Sequence, residues 1–161
     1  MPRIELREIT TDAGWDAVMG LRLGPGQDAH LNSMPDIREE SIEDARGMPH
    51  PWAVHDADTG ELVGFVMISD DVPAPLPDDM IGPYFLWKLL IDHPRQGQGY
   101  GRATLDAVVA YVARRPHATV LPTSCADGPH SPRGFYLRYG FRDTGRVMWG
   151  ENVLELDLAT R

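Results

Sequence analysis

Hydrophobic positions along the chain change period several times, and each change marks an expected element. Ile4 and Leu6 alternate with Arg3, Glu5 and Arg7, the pattern of a half-buried strand. Thr11 or Asp12 can cap a helix carrying Trp15, Val18, Met19, Leu21 and Leu23, which the glycines at 24 and 26 end. Residues 27–48 are polar and irregular, and within them SIEDARG (Ser41 to Gly47) predicts a short capped helix. The β-rich runs WAVHD and ELVGFVMIS flank a turn at Asp58-Thr59-Gly60, predicting an antiparallel hairpin. Residues 70–83 hold four prolines and four aspartates and predict a loop.

The apolar run YFLWKLLID (Tyr84 to Asp92) predicts a central strand covered on both faces. Leu105, Val108, Val109 and Val112 then fall at i, i+3, i+4 and i+7, one apolar helix face, with Arg114 and Arg115 at its end and Pro116 as its stop. ATVLPTS predicts a strand, and Ser131, Pro132 and Gly140 bound a short helix. FRDTGRVMW and NVLELDL predict two closing strands. The order β-α-α-β-β-β-α-β-α-β-β predicts a mixed α/β fold, with a sheet of about seven strands and about four flanking helices in a single domain over 1–161. The strand-helix-strand unit from Tyr84 to Leu121 calls for a parallel crossover.

Composition narrows the function. A chain of 161 residues can bury its own core without disulfide or metal staples. Nothing in it resembles a membrane span, and Arg3, Glu5, Arg7 and Glu8 interrupt any signal-peptide core, so a cytoplasmic location is expected. The net charge of −9 argues against a nucleic-acid partner and suits a cationic small molecule. Cys125, the single cysteine, reads as a packing residue, and six scattered histidines without a helical pair give no metal site. Lys88 is the only lysine, set inside the apolar strand.

Glycines at 97, 99 and 101 join that strand to the next helix. Such a turn bares backbone N–H groups at a helix start, where the dipole also favours anions, so a phosphate ligand is expected. A dinucleotide fingerprint would need glycine at the place of Arg102, and a P-loop would need Gly-Lys-Ser/Thr; neither is present.

Gln96-Gly97-Gln98-Gly99-Tyr100-Gly101 after LLID resembles the pyrophosphate loop of the Gcn5-related N-acetyltransferases (GNAT). FYLRYGF (Phe135 to Phe141) resembles their late aromatic motif, and Gln27, SIEDA and LVGFVM resemble the spermine/spermidine branch. The resemblance implies acetyl-coenzyme A as cosubstrate, without a metal. It implies that Leu89, Leu90 and Ile91 offer backbone groups to the pantetheine arm, and that Gln96, Gly97, Gln98, Gly99, Tyr100, Gly101 and Arg102 hold the pyrophosphate. Arg95 is a further candidate there. Tyr136 matches the general acid, Gln27 and Glu43 are acceptor-side candidates, and His130 stands where many members carry asparagine. The implied reaction is acetylation of a small-molecule primary amine, with a polyamine such as spermidine or spermine as leading acceptor. Alternatives are a protein N-terminus, an amino acid, an amine-bearing antibiotic, or a non-catalytic coenzyme A sensor. Lys88 in the acceptor cleft would repel a polyamine, and the late strands could pair across a homodimer.

Overall fold

Among the described residues, seven strands and four α-helices follow in the expected order: β1 (Ile4–Glu8), α1 (Asp12–Val18), α2 (Met34–Glu43), β2 (Pro49–Asp56), β3 (Leu62–Asp70), β4 (Tyr84–Ile91), α3 (Tyr100–Val112), β5 (Val120–Cys125), α4 (Arg133–Tyr139), β6 (Arg142–Met148) and β7 (Glu151–Asp157). This is a computed structural model, describing residues 1–160. One sheet runs β1-β2-β3-β4-β5-β7-β6. The first four strands pair antiparallel, β4 and β5 are parallel through the α3 crossover, and β7 returns antiparallel between β5 and β6.

Apolar residues cover both faces of this sheet. On one face Leu105, Val108, Val109 and Val112 of α3 pack with Tyr136 and Phe141 against Trp52, Val66, Leu86, Leu121 and Leu154. On the other, Val18 of α1 and Met34 and Ile37 of α2 pack against Ala53, Phe65, Met67 and Leu90. No described helix is long and apolar enough to cross a membrane.

Two helices differ from the sequence expectation. Thr11 caps α1 by accepting from Gly14 N (3.1 Å), but the helix ends at Val18, ahead of the low-propensity Gly20, and Leu21 is buried outside it. The second helix starts at Met34, not Ser41. Ser33 caps it through Asp36 N (3.4 Å) and Pro35 occupies its first turn, where a missing N–H costs nothing. Ser41 lies inside the helix, its hydroxyl donating to Arg38 O (2.6 Å).

The greatest departure is in β4. Its first half is buried, whereas Trp87, Lys88 and Leu89 are only half-buried. Lys88 pairs with Met67 and Leu86 with Ile68, leaving Trp87 as a bulged residue without a partner on β3. On its other side β4 meets β5 in register only at Leu86–Thr123. Beyond that point the two parallel strands part, so one edge of Trp87–Ile91 has no strand neighbour among the described residues.

Candidate active site

Where β4 and β5 part, a cleft of about 860 Å³ opens. Leu89, Leu90 and Ile91 line one wall, Thr123, Ser124 and Cys125 another, and Phe135 and Tyr136 of α4 face them. The glycine turn closes one end. Gly97 and Gly99 have φ of 75° and 91°, a backbone that side chains resist, and a Cβ on Gly97 would point into open space. No side chain caps α3, so its first-turn amides lack partners within the helix. A Cβ on Gly101 would sit 3.3 Å from Phe135 Cζ, so this glycine keeps α3 close to α4.

Two loops reach across the middle of the cleft. His30 Nε2 lies 2.7 Å from Pro129 O, and Gly26 abuts the His130 ring so closely that a Cβ there would fall 2.3 Å from Cδ2. Gln27 and Gln96 exchange amide hydrogen bonds of 3.0 and 2.9 Å, and Gln96 also donates to Ile91 O (2.9 Å), tying one loop to the glycine turn.

At the opposite end lie Glu40, Asp44, Arg46, Asp79, Ile81, Phe85, Trp87, Lys88, Trp149 and Glu151. Glu40 accepts from Trp87 Nε1 (3.0 Å) and pairs with Lys88 Nζ (3.1 Å). Neighbours on a regular strand project to opposite faces, and the bulge at Trp87 lets both reach one carboxylate. Trp149, in the tight β6–β7 turn, donates to Asp79 O (3.1 Å) and meets Phe85 edge-on.

Tyr136 is 6% exposed, and burial pushes its phenol well above its ordinary value, with Thr123 opposing the shift. It therefore stays protonated throughout the neutral range. Thr123 Oγ1, in the same cleft, donates to Leu86 O (2.9 Å) at the point where the strands part. The residues suit a long ligand with an anionic end and a reactive end: unpaired helix amides, an unpaired strand edge, and a neutral acid beside them.

A family model described as the acetyltransferase (GNAT) family matches residues 15–141. The chain belongs to the GNAT family of acetyltransferases. It is 26% identical over 149 residues to the spermine/spermidine N(1)-acetyltransferase of Bacillus subtilis (strain 168), covering 92% of this chain and 95% of the relative. Its fold is similar to AtaTR bound with AcCoA (17% identity, 98% of this chain and 95% of that chain, TM-score 0.66). It is likewise similar to the spermidine/spermine N-acetyltransferase SpeG from Vibrio cholerae in complex with manganese ions (15% identity, 98% and 94% coverage, TM-score 0.61).

Within this GNAT domain the sequence-derived candidates separate. Leu89, Leu90, Ile91, Gln96, Gly97, Gly99, Tyr100, Gly101, Arg102 and Tyr136 all line the cleft. Tyr100 does so without its phenol, which donates to Asp56 Oδ2 (2.6 Å). Gln98 lies outside the lining, exposed, its amide donating to Pro94 O (3.2 Å). Arg95 is paired with Glu61, and the Arg102 guanidinium stacks 6.0 Å from the Tyr139 ring. Gln27, expected on the acceptor side, lines the cleft but is bonded to Gln96 at the glycine turn.

Glu43 is a correction. It is exposed and does not line the cleft, because α2 turns Met34, Ile37 and Ser41 inward and leaves Glu43 on the outer side. Glu40, one turn earlier, takes the inward place, and sequence reasoning missed it by starting the helix too late. Glu151 was missed as well; no spacing rule announces a lone acid after a hairpin turn. Cys125 is buried, and desolvation first and Glu151 second push its thiol up, which keeps it protonated and unreactive.

Proposed function

We propose that this GNAT domain transfers an acetyl group from acetyl-coenzyme A to a primary amine of a small molecule, with a polyamine as the leading acceptor. The observation that supports this reading best is the parting of β4 from β5 beyond Leu86–Thr123, with Tyr136 beside the opening. In this reading the amides from Gly97 to Arg102 hold the pyrophosphate, and the free edge of Leu89–Ile91 aligns the pantetheine arm. The cosubstrate supplies an activated acyl group as a thioester.

The residues of the chain supply position and protons. Alignment along β4 replaces a bimolecular encounter by a held geometry. Tyr136, neutral because it is buried, gives its proton to the departing sulfur. The names of the relatives and the acidic residues at the acceptor end support a cationic amine. Lys88, which in isolation would repel such a substrate, is offset by Glu40.

Thiol release measured with acetyl-coenzyme A and a panel of spermidine, spermine, amino acids and N-terminal peptides tests the reading. Turnover with spermidine or spermine is expected. Activity on peptides alone would reverse the acceptor assignment, and coenzyme A binding without thiol release from any amine would make the protein a sensor.

A further inference from the structure

The acceptor end contains four carboxylates, and three of them have a cationic partner. Glu40 faces Lys88, while Asp44 and Asp79 share Arg46. Glu151 forms no ion pair among the described residues. Its carboxylate accepts a hydrogen bond from Ser124 Oγ (2.7 Å), across the β5–β7 pairing that sets Ser124 opposite Val153 and Cys125 opposite Asn152. It lines the same cleft as Tyr136. It is also close enough for its charge to act on both the Tyr136 phenol and the Cys125 thiol.

Its position is built, not incidental. Glu151 pairs with Met148 across a turn formed by Trp149 and Gly150, whose φ angles of 54° and 76° are both left-handed, as a tight two-residue hairpin demands. Trp149 then reaches Asp79 and Phe85, anchoring the turn over the acceptor end. Strand, turn and serine together hold a carboxylate without a cationic partner next to the buried acid.

Resting on the acetyltransferase reading, we propose that Glu151 receives the ammonium group of the acceptor and takes its proton, with Ser124 as the positioning residue. A primary amine is almost wholly protonated at neutral pH, its pKa being about 10.4, so a proton must leave before nitrogen can attack. Glu151 accepts that proton. The nitrogen lone pair then forms the C–N bond at the thioester carbonyl carbon and the C–S bond breaks. The sulfur takes the Tyr136 proton, a second nitrogen proton restores the phenol, and the Glu151 proton passes to water. The products are amide, free thiol and one released proton.

The test uses full-length wild type, Glu151→Gln, Glu151→Asp and Ser124→Ala. It follows thiol release against pH with spermidine, phenethylamine and lysine amide, and calorimetric titration of the same amines into protein saturated with coenzyme A. Glu151→Gln keeps an oxygen acceptor for Ser124, and thermal unfolding verifies each fold. At pH 7, kcat/KM of Glu151→Gln for the preferred amine is expected to fall by about 10²- to 10⁴-fold. The deficit should shrink towards pH 10, where solvent supplies neutral amine. Its amine affinity should weaken while coenzyme A affinity holds, Glu151→Asp should recover part of the rate, and Ser124→Ala should lose less. Wild-type kcat/KM with an unaltered pH profile in Glu151→Gln overturns the proposal. If wild type releases no thiol from any amine, the acetyltransferase reading falls instead. Calorimetry then decides separately, since amine affinity unchanged by Glu151→Gln, or absent in wild type, overturns the Glu151 assignment.

Discussion

Glu40 Oε2 lies 3.1 Å from Lys88 Nζ, joining α2 to the bulged part of β4 at the acceptor end of the cleft. The Lys88 side chain is only 14% exposed, so its charge is poorly hydrated and depends on this partner. Glu40→Gln should lower stability by about 1–2 kcal/mol, between the values typical of surface and buried pairs. It should also raise KM for a cationic acceptor without changing coenzyme A affinity. The double variant Glu40→Gln/Lys88→Met should restore both, a coupling that denaturant unfolding and acceptor saturation curves measure directly.

Tyr136→Phe keeps the ring in its buried site and removes only the proton. Turnover should fall by about 10²- to 10⁴-fold, with coenzyme A affinity within about twofold of wild type. Because burial raises the wild-type phenol, kcat should show no alkaline decline from its ionisation below pH 10. Pre-steady-state thiol release across pH 6–10 checks both statements.

Gly97 and Gly60 make a matched pair. Both have φ of 75°, and a Cβ on either meets nothing within 4 Å. Alanine at either position should cost about 1–2 kcal/mol from the left-handed backbone alone. Only Gly97→Ala should weaken coenzyme A, by about tenfold, because Gly60 lies in the β2–β3 hairpin, outside the cleft. Calorimetry on the two variants separates phosphate-site damage from general strain.

Outside the cleft lining, Asp70 gathers His50 Nδ1 (2.8 Å), Arg115 Nε (2.9 Å) and the Tyr111 hydroxyl. Burial alone would raise its carboxyl, but bonds from Tyr111, His50 and Arg115 outweigh this and hold it below the ordinary carboxylate value. Its stabilising effect is therefore present above about pH 3.8 and lost as pH falls through the depressed folded value. Tyr111 behaves oppositely: burial and Asp70 push it up to about 12, so its contribution is present below pH 10 and lost as pH rises towards 12. Asp70→Asn should cost about 2–3 kcal/mol at pH 7 and flatten the acid limb, while Tyr111→Phe should flatten the alkaline limb. Urea unfolding at a series of pH values resolves the two limbs.

Strand and helix order was legible because most elements carry their own period and their own stop signals. The apolar face of α3 and the Asp58-Thr59-Gly60 turn are such cases. Helix α2 was misplaced because SIEDA imitates a cap, although Ser33 and Pro35 held the true start signal. Glu43 follows from the resemblance of SIEDA to acceptor-side helices, whereas a helix capped by Ser33 turns Glu40 inward. The glycine turn was readable because its backbone demand is local. The acceptor end was not, since Glu40, Trp87, Asp79 and the Trp149–Glu151 hairpin come from four separate segments whose meeting depends on the bulge and on a hairpin turn. The partner of Lys88 is not legible either, because Glu40 lies 48 positions away on another element and meets it only through the fold.

The contact of Gly26 with His130 has a mechanical consequence. A methyl group at position 26 would act as a wedge, since the imidazole carbon stands 2.3 Å from where it must go. Either the ring rotates away or the two touching segments spread. Absence of a side chain at this one position thus lets the chain before Gln27 lie directly against His130, so a hydrogen atom in place of a methyl group decides how closely two cleft-bordering segments approach.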